Sequence, residues 1–123
     1  HIPAIAGVIS RAAANAAYEL QASAIISSTQ SGATAGRLSQ CRPDCPIVAV
    51  TPDEKVAKKL ALFFGVYPIV SGKMKSTDHM MEESVKVAEE HGFVAKGDTV
   101  VIAAGVPVDK IGATNLLRVS VVE

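Results

Sequence analysis

Between Pro3 and about Leu20 the apolar residues Ile5, Val8, Ile9, Ala12, Ala16 and Leu20 recur at intervals of three and four, which lays them along one face of a first helix. Alanine fills so many of its positions that the helix combines high propensity with a thin profile, open to close approach by a sheet or a second subunit. The pattern then breaks into short runs. Ala24 to Ser28 reads as a strand, Ala33 to Cys41 as a helix and Ile47 to Thr51 as a second strand, and the unbroken apolar character of these strands predicts burial on both faces. Thr51-Pro52-Asp53-Glu54 ends that strand and opens a third helix with an acidic first turn. Val56, Leu60, Phe63 and Phe64 form its inner face and Gly65 closes it.

After a third strand, Val66 to Val70, the triplet Ser76-Thr77-Asp78 caps a fourth helix. Its stripe is Met81, Val85 and Ala88 with Met80, Ser84 and Val87 alongside, and it runs to about His91, where Gly92 stops it. A turn at Lys96-Gly97-Asp98, shaped by Asp98, leads into VVIAA, the most apolar strand and therefore a central one. From Asn115 to Val122, Leu117, Val119 and Val121 alternate with Leu116, Arg118 and Ser120, the mark of an edge strand with one face fully covered. The connection from Gly105 to Thr114 is too short for a crossover helix, so this last strand should run antiparallel. Strands alternating with helices across short loops imply one doubly wound α/β domain over residues 1–123, with helices on both faces of its sheet.

Charge and composition exclude several function classes. Lysine plus arginine and aspartate plus glutamate balance at 12 each without any block of like charge, so neither a nucleic-acid partner nor an anionic membrane is expected. Hydrophobic residues make up 49% of the chain, yet no apolar run is long enough to span a bilayer, and no signal segment opens it; a cytoplasmic, soluble protein is expected. The chain starts at His1 rather than methionine, as a piece of something longer would. Cys41 and Cys45 have no second thiol pair or neighbouring histidine and read as ordinary reduced thiols rather than a zinc site. His1, His79 and His91 are isolated and expected to face solvent, and Lys55, Lys58 and Lys59 to form the wet face of the third helix.

The chemistry concentrates in SSTQSGATAGR. In open α/β sheets ligands sit beyond the carboxyl ends of strands where strand order reverses. If the first strand lies beside the fourth, that point is flanked by two loops, Thr29 to Thr34 and Gly105 to Gly112. The first runs straight into a helix whose unpaired amides and positive dipole end suit an anion. Thr29, Ser31 and Thr34 add hydroxyls, and Gly32 permits close backbone approach. From these residues alone the loop is either a phosphate cradle or a plain helix cap. It is neither a GxxxxGK[ST] nor a GxGxxG loop.

STQSGATAGRLSQCRPDCPIVAVTPDEKVAKKLALFFGVYPIV, then KGDTVVIAAGVP and GATNLLRV, closely resembles the C-terminal domain of pyruvate kinases, almost end to end and in the same order and spacing. The resemblance implies a three-layer α/β/α fold with a five-stranded, mostly parallel sheet of order 3-2-1-4-5 and the last strand antiparallel. It also implies a regulatory and assembly domain of a glycolytic enzyme, usually a homotetramer, that transfers phosphate from phosphoenolpyruvate to ADP with magnesium and generally potassium. The family's catalytic groups lie in an upstream barrel, so no catalytic residue, metal or cofactor is expected in this domain, which should be inactive alone. By the same resemblance Thr29, Gln30, Ser31, Gly32, Ala33 and Thr34 grip a phosphate of an allosteric sugar phosphate or nucleotide. The loop with Gly105, Val106, Pro107, Lys110 and Gly112 closes over it, Lys110 being its cation.

Two departures bear on the effector. Fructose-bisphosphate-activated relatives often place an arginine, with a tryptophan one turn earlier, where this chain has Lys73-Met74-Lys75-Ser76-Thr77-Asp78-His79-Met80, which favours a sugar monophosphate or AMP over the bisphosphate. Where bacterial relatives often have arginine soon after the loop, this chain has Gly36, with Arg37 one position and about 100° further round the helix. Two other readings stand beside the allosteric one: a purely structural assembly domain, and an independent small enzyme, for which the sequence offers no nucleophile and base pair or metal cluster.

Overall fold

The computed structural model describes residues 5–105 and 114–123. His1 and Pro3, and Val106, Pro107, Lys110 and Gly112 of the second loop, lie outside the described residues. In chain order the elements are α1 (Ile5–Leu20), β1 (Ala24–Ser28), α2 (Ala33–Gln40), β2 (Ile47–Thr51), α3 (Glu54–Leu60), β3 (Val66–Val70), α4 (Thr77–Glu90), β4 (Thr99–Ala104) and β5 (Leu116–Val121). The strands form one sheet of order β3-β2-β1-β4-β5. β1 runs parallel to β2 and β4, β2 parallel to β3, and β5 antiparallel to β4, pairing Thr99 with Val121 and Ala104 with Leu116. This is the topology expected from the sequence.

The central strands carry apolar side chains on both faces because helices cover both. Ile26, Val48, Val50, Val100 and Ile102 pack toward Met80, Val87 and Ala88 of α4. Ile25, Ile47, Ala49, Val101 and Ala103 pack toward Ala13 and Ala17 of α1, Leu38 of α2 and Leu60 of α3. Burying each of the larger of these side chains contributes roughly 1.5–3 kcal/mol, which makes the two faces of the sheet the main source of stability.

Helix ends follow local chemistry. The Asp53 carboxylate accepts from the Lys55 and Val56 amides at 2.8 and 3.4 Å, starting α3, and the Ser76 hydroxyl accepts from the His79 amide at 3.1 Å, starting α4. α4 stops in a Schellman turn: Gly92 sits at φ 81, its amide donates to Glu89 and the Phe93 amide donates to Ala88, both at 3.0 Å. α1 stops in the same turn without a glycine. Gln21 takes φ 53, its amide donates to Tyr18 at 3.3 Å and the Ala22 amide to Ala17 at 2.9 Å. Asp98 shapes its turn as expected, its carboxylate accepting from the Ala95 amide at 2.8 Å.

Four details differ from the sequence reading. The face of α1 marked by Ile5, Val8, Ile9, Ala12, Ala16 and Leu20 is not the one turned inward. Ala6, Ser10, Ala13 and Ala17 are buried, while Ile5, Val8 and Leu20 are 65%, 44% and 49% exposed. The buried set is offset from the apolar stripe by about one residue, or 100° of rotation, because a helix lying close on a sheet presents its smallest side chains. α3 ends at Leu60, so Phe63 reaches the core from the following turn and Phe64 points outward, with the Arg42 guanidinium over its ring at 4.2 Å. In α4, Met80, Ser84, Val87 and Ala88 are the buried residues, and Met81 and Val85 sit at the margin. On β5 the face of Leu117, Val119 and Val121 is covered only at Leu117; Val119 and Val121 are exposed, and Val122 beyond the strand is buried.

Candidate functional site

Because β1 pairs with both β2 and β4, the chain leaves the sheet in opposite directions on either side of β1, and strand order reverses beyond Ser28. The Thr29 amide donates to the Val50 carbonyl at 3.0 Å, so the loop begins as a fixed extension of the ladder. On the other side the chain leaves β4 at Gly105 and is described again from Thr114, and the Asn115 amide donates to Ala104 at 3.0 Å. The two segments meet side chain to side chain: the Thr34 and Thr114 hydroxyls are 2.6 Å apart and both residues are buried.

The loop's own hydrogen bonds define what it offers. The Thr29 hydroxyl accepts from the Gly32 amide at 2.9 Å, and the exposed Ser31 hydroxyl accepts from the Ala33 amide at 3.3 Å. Both hydroxyls keep a proton to donate. Gly32 is the N-cap of α2, without a side-chain cap, at φ 90. A Cβ there would stand 3.1 Å from Leu60 Cδ2, so glycine is required by backbone conformation and by packing together. With Gly32 at the cap, the Thr34 and Ala35 amides fall in the first turn, where helix geometry gives them no intrahelical acceptor. Gln30 is half-buried and Ala33 exposed at the mouth of the loop.

A groove of about 430 Å³ opens beside the loop, lined by Ser31, Gly32, Ala33, Arg37, Lys59 and Phe63 among others. Two cations border it. Arg37 lies on α2, and Lys59 on α3 was expected only as wet surface. Gly36 lies against Phe63, whose ring would be 3.2 Å from an added Cβ, so a longer side chain there would displace the ring. Thr114 is the residue that sequence reasoning missed; its signal was its place in GATN, at the return of the second loop. Lys73 and Lys75 sit after β3, two strands away from β1 in the sheet.

The remaining singled-out residues take structural roles. His79 Nδ1 accepts from the Lys75 amide at 3.1 Å, and His91 Nδ1 lies 2.9 Å from the Val87 carbonyl. Cys41 and Cys45 are free thiols, and burial pushes the Cys45 thiol above its ordinary range. Among the described residues no three His, Cys, Asp or Glu side chains gather to hold a metal, and no helix is long and apolar enough to cross a membrane.

Residues 7–120 match the family model described as pyruvate kinase, alpha/beta domain. A pyruvate kinase of Clostridium acetobutylicum is 55% identical over 116 residues, which are 94% of this chain and 24% of the relative. One from Sporosarcina psychrophila is 45% identical over 114 residues, 93% of this chain and 20% of the relative. One from Lactobacillus delbrueckii subsp. bulgaricus is 47% identical over 106 residues, 86% and 18%. The chain thus spans about a fifth to a quarter of the length of these relatives. With the sheet order, the loop at the switch point and a family match along nearly the whole sequence in agreement, the chain belongs to the pyruvate kinase family as its C-terminal alpha/beta domain.

Proposed function

We propose that this domain seats the phosphate of an allosteric effector at Thr29–Thr34 and helps assemble an enzyme that transfers phosphate from phosphoenolpyruvate to ADP, giving pyruvate and ATP in the cytoplasm. The observation that carries the reading is the start of α2 at the switch point, where Thr34 touches Thr114 and the Thr34 and Ala35 amides lack helical acceptors. Ser31 and Thr29 supply hydroxyl protons, and Lys59 supplies charge from the bordering groove. On this reading turnover, with its magnesium and potassium, belongs to a barrel elsewhere in the whole enzyme and not to this domain.

The effector is a sugar monophosphate or AMP rather than fructose bisphosphate, since the Lys73–Met80 stretch lacks the arginine that would ground a second phosphate. Calorimetry with ribose 5-phosphate, glucose 6-phosphate, AMP and fructose bisphosphate tests this. One monophosphate is expected to bind more tightly than the bisphosphate, and far tighter binding of the bisphosphate would overturn the choice.

Assembly is supported by apolar residues left outward on two elements: Ile5, Val8 and Leu20 on α1, and Val119 and Val121 on β5. Sedimentation is expected to show self-association, toward a homotetramer in the whole enzyme, and a monomer at high micromolar concentration would contradict it. Arg118→Glu is a suitable probe, because Arg118 is exposed, its guanidinium donating to Met81 Sδ at the margin of α4 at 3.5 Å. A purely structural assembly domain is the second reading. It is favoured by the Thr29 and Ser31 oxygens already accepting from amides of their own loop, and binding of none of the four compounds would establish it.

A further inference from the structure

Arg11, Arg37, Arg42 and Arg118 are the chain's arginines, and the first three line one cleft of about 940 Å³ between α1 and the end of α2. Asn15 and Tyr18 add polar groups from α1, and Asp44 is the one acid among the lining residues. We infer that this cleft is a second anion site, separate from the loop at Thr29–Thr34, which takes a small organic polyanion bearing phosphate or carboxylate groups.

Each guanidinium is placed by a different local device. Arg42 occupies the left-handed position after α2 at φ 50, its amide donating to Ser39 at 3.1 Å. Pro43 follows and cannot donate the second bond of a Schellman turn, so the backbone turns sharply there. The Arg42 guanidinium is then held over the Phe64 ring at 4.2 Å. Arg11 lies back along α1 over Gly7, where an added Cβ would stand 3.3 Å from its Nη1. Arg37 enters from α2, and its Nη1 is buried with no hydrogen-bond partner among the described residues.

The surplus of positive charge along the cleft points to an anionic ligand. Three arginines line the cleft against one acid, an imbalance that an anionic ligand would neutralise. Arginine forks suit the paired oxygens of phosphate and carboxylate, and the cleft is of the size that takes metabolite-scale ligands. The thin alanine surface of α1, with Ala12 and Ala14 on this side, leaves the room.

Amide shift mapping of the labelled chain, with tripolyphosphate in one titration and citrate in another at about 150 mM salt, tests the site with nonspecific attraction screened. Saturable shifts are expected at Arg11, Asn15, Arg37 and Arg42, with the tighter ligand assigning phosphate or carboxylate. The variant R11A/R42N is expected to lose at least tenfold in affinity with only a small drop in melting temperature from the lost Arg42–Phe64 contact, asparagine being tolerant of the left-handed backbone at position 42. If that variant folds poorly, Arg11→Ala alone, at an exposed helical position, is expected to lose at least threefold. No saturable shift with either compound, shifts confined to Thr29–Thr34, or unchanged affinity in the arginine variants would each overturn the inference.

Discussion

α1 and α4 cover opposite faces of the same sheet by opposite means. α4 drives Met80 and Val87 into the core and leaves its charges outside, so bulk and burial coincide. α1 turns Ala6, Ser10, Ala13 and Ala17 inward and exposes Ile5 and Val8, so its bulk and its burial lie about a quarter-turn apart. The Ser10 hydroxyl donates to the Ala6 carbonyl at 2.8 Å, which lets a polar residue sit in that thin seam. A helix that buries alanine gains less from its own core contacts and leaves an apolar stripe for another surface to cover.

The contrast predicts unequal costs for truncation. Met80→Ala should destabilise the chain by roughly 2–5 kcal/mol in urea denaturation, whereas Val8→Ala should stay within about 0.5 kcal/mol at concentrations where the chain is monomeric. A similar cost for both would erase the distinction. Enlarging the thin seam is the next largest effect: Ala13→Leu, at a fully buried position, should cost about 1–3 kcal/mol through overpacking. The helix stops sharpen the comparison at smaller scale. Gly92→Ala should cost about 1 kcal/mol at its left-handed φ, while Gln21→Gly should gain up to about 1 kcal/mol at the same point of α1, both read from thermal melts.

The same contrast explains what was legible in the sequence. The alternation of strands and helices, the antiparallel last strand and the capped starts at Asp53 and Ser76 followed from patterns with one physical meaning, namely continuous apolar runs, a short connection and a side chain able to accept from an amide, whereas the strand order came from the family resemblance. The inner face of α1 was misplaced because periodicity follows bulky residues, and here the sheet selected small ones. Phe64 was placed inward because α3 was carried past Leu60, and the pattern of apolar residues does not mark where a helix gives way to a turn. The switch-point loop was readable from its composition and glycine. Its contact with Thr114, across 80 residues of sequence, and the convergence of Arg11, Arg37 and Arg42 depend on tertiary packing that no local pattern encodes.

Within the loop, the structure also decides which substitution is informative. Thr34→Ala would strand the buried Thr114 hydroxyl, at a cost of about 1–3 kcal/mol in stability, and so mixes folding with binding. Ser31 is exposed and bonds only weakly within the loop, so Ser31→Ala isolates the ligand contact. The decisive measurement is amide shift mapping of the labelled chain with ribose 5-phosphate and with AMP, repeated on Ser31→Ala. Saturable shifts greatest at Ser31 to Ala35, with affinity about tenfold weaker in the variant, are the expected result. Absence of saturable shifts, or shifts greatest elsewhere in the domain with Ser31→Ala binding as well as wild type, would contradict an effector phosphate at this loop.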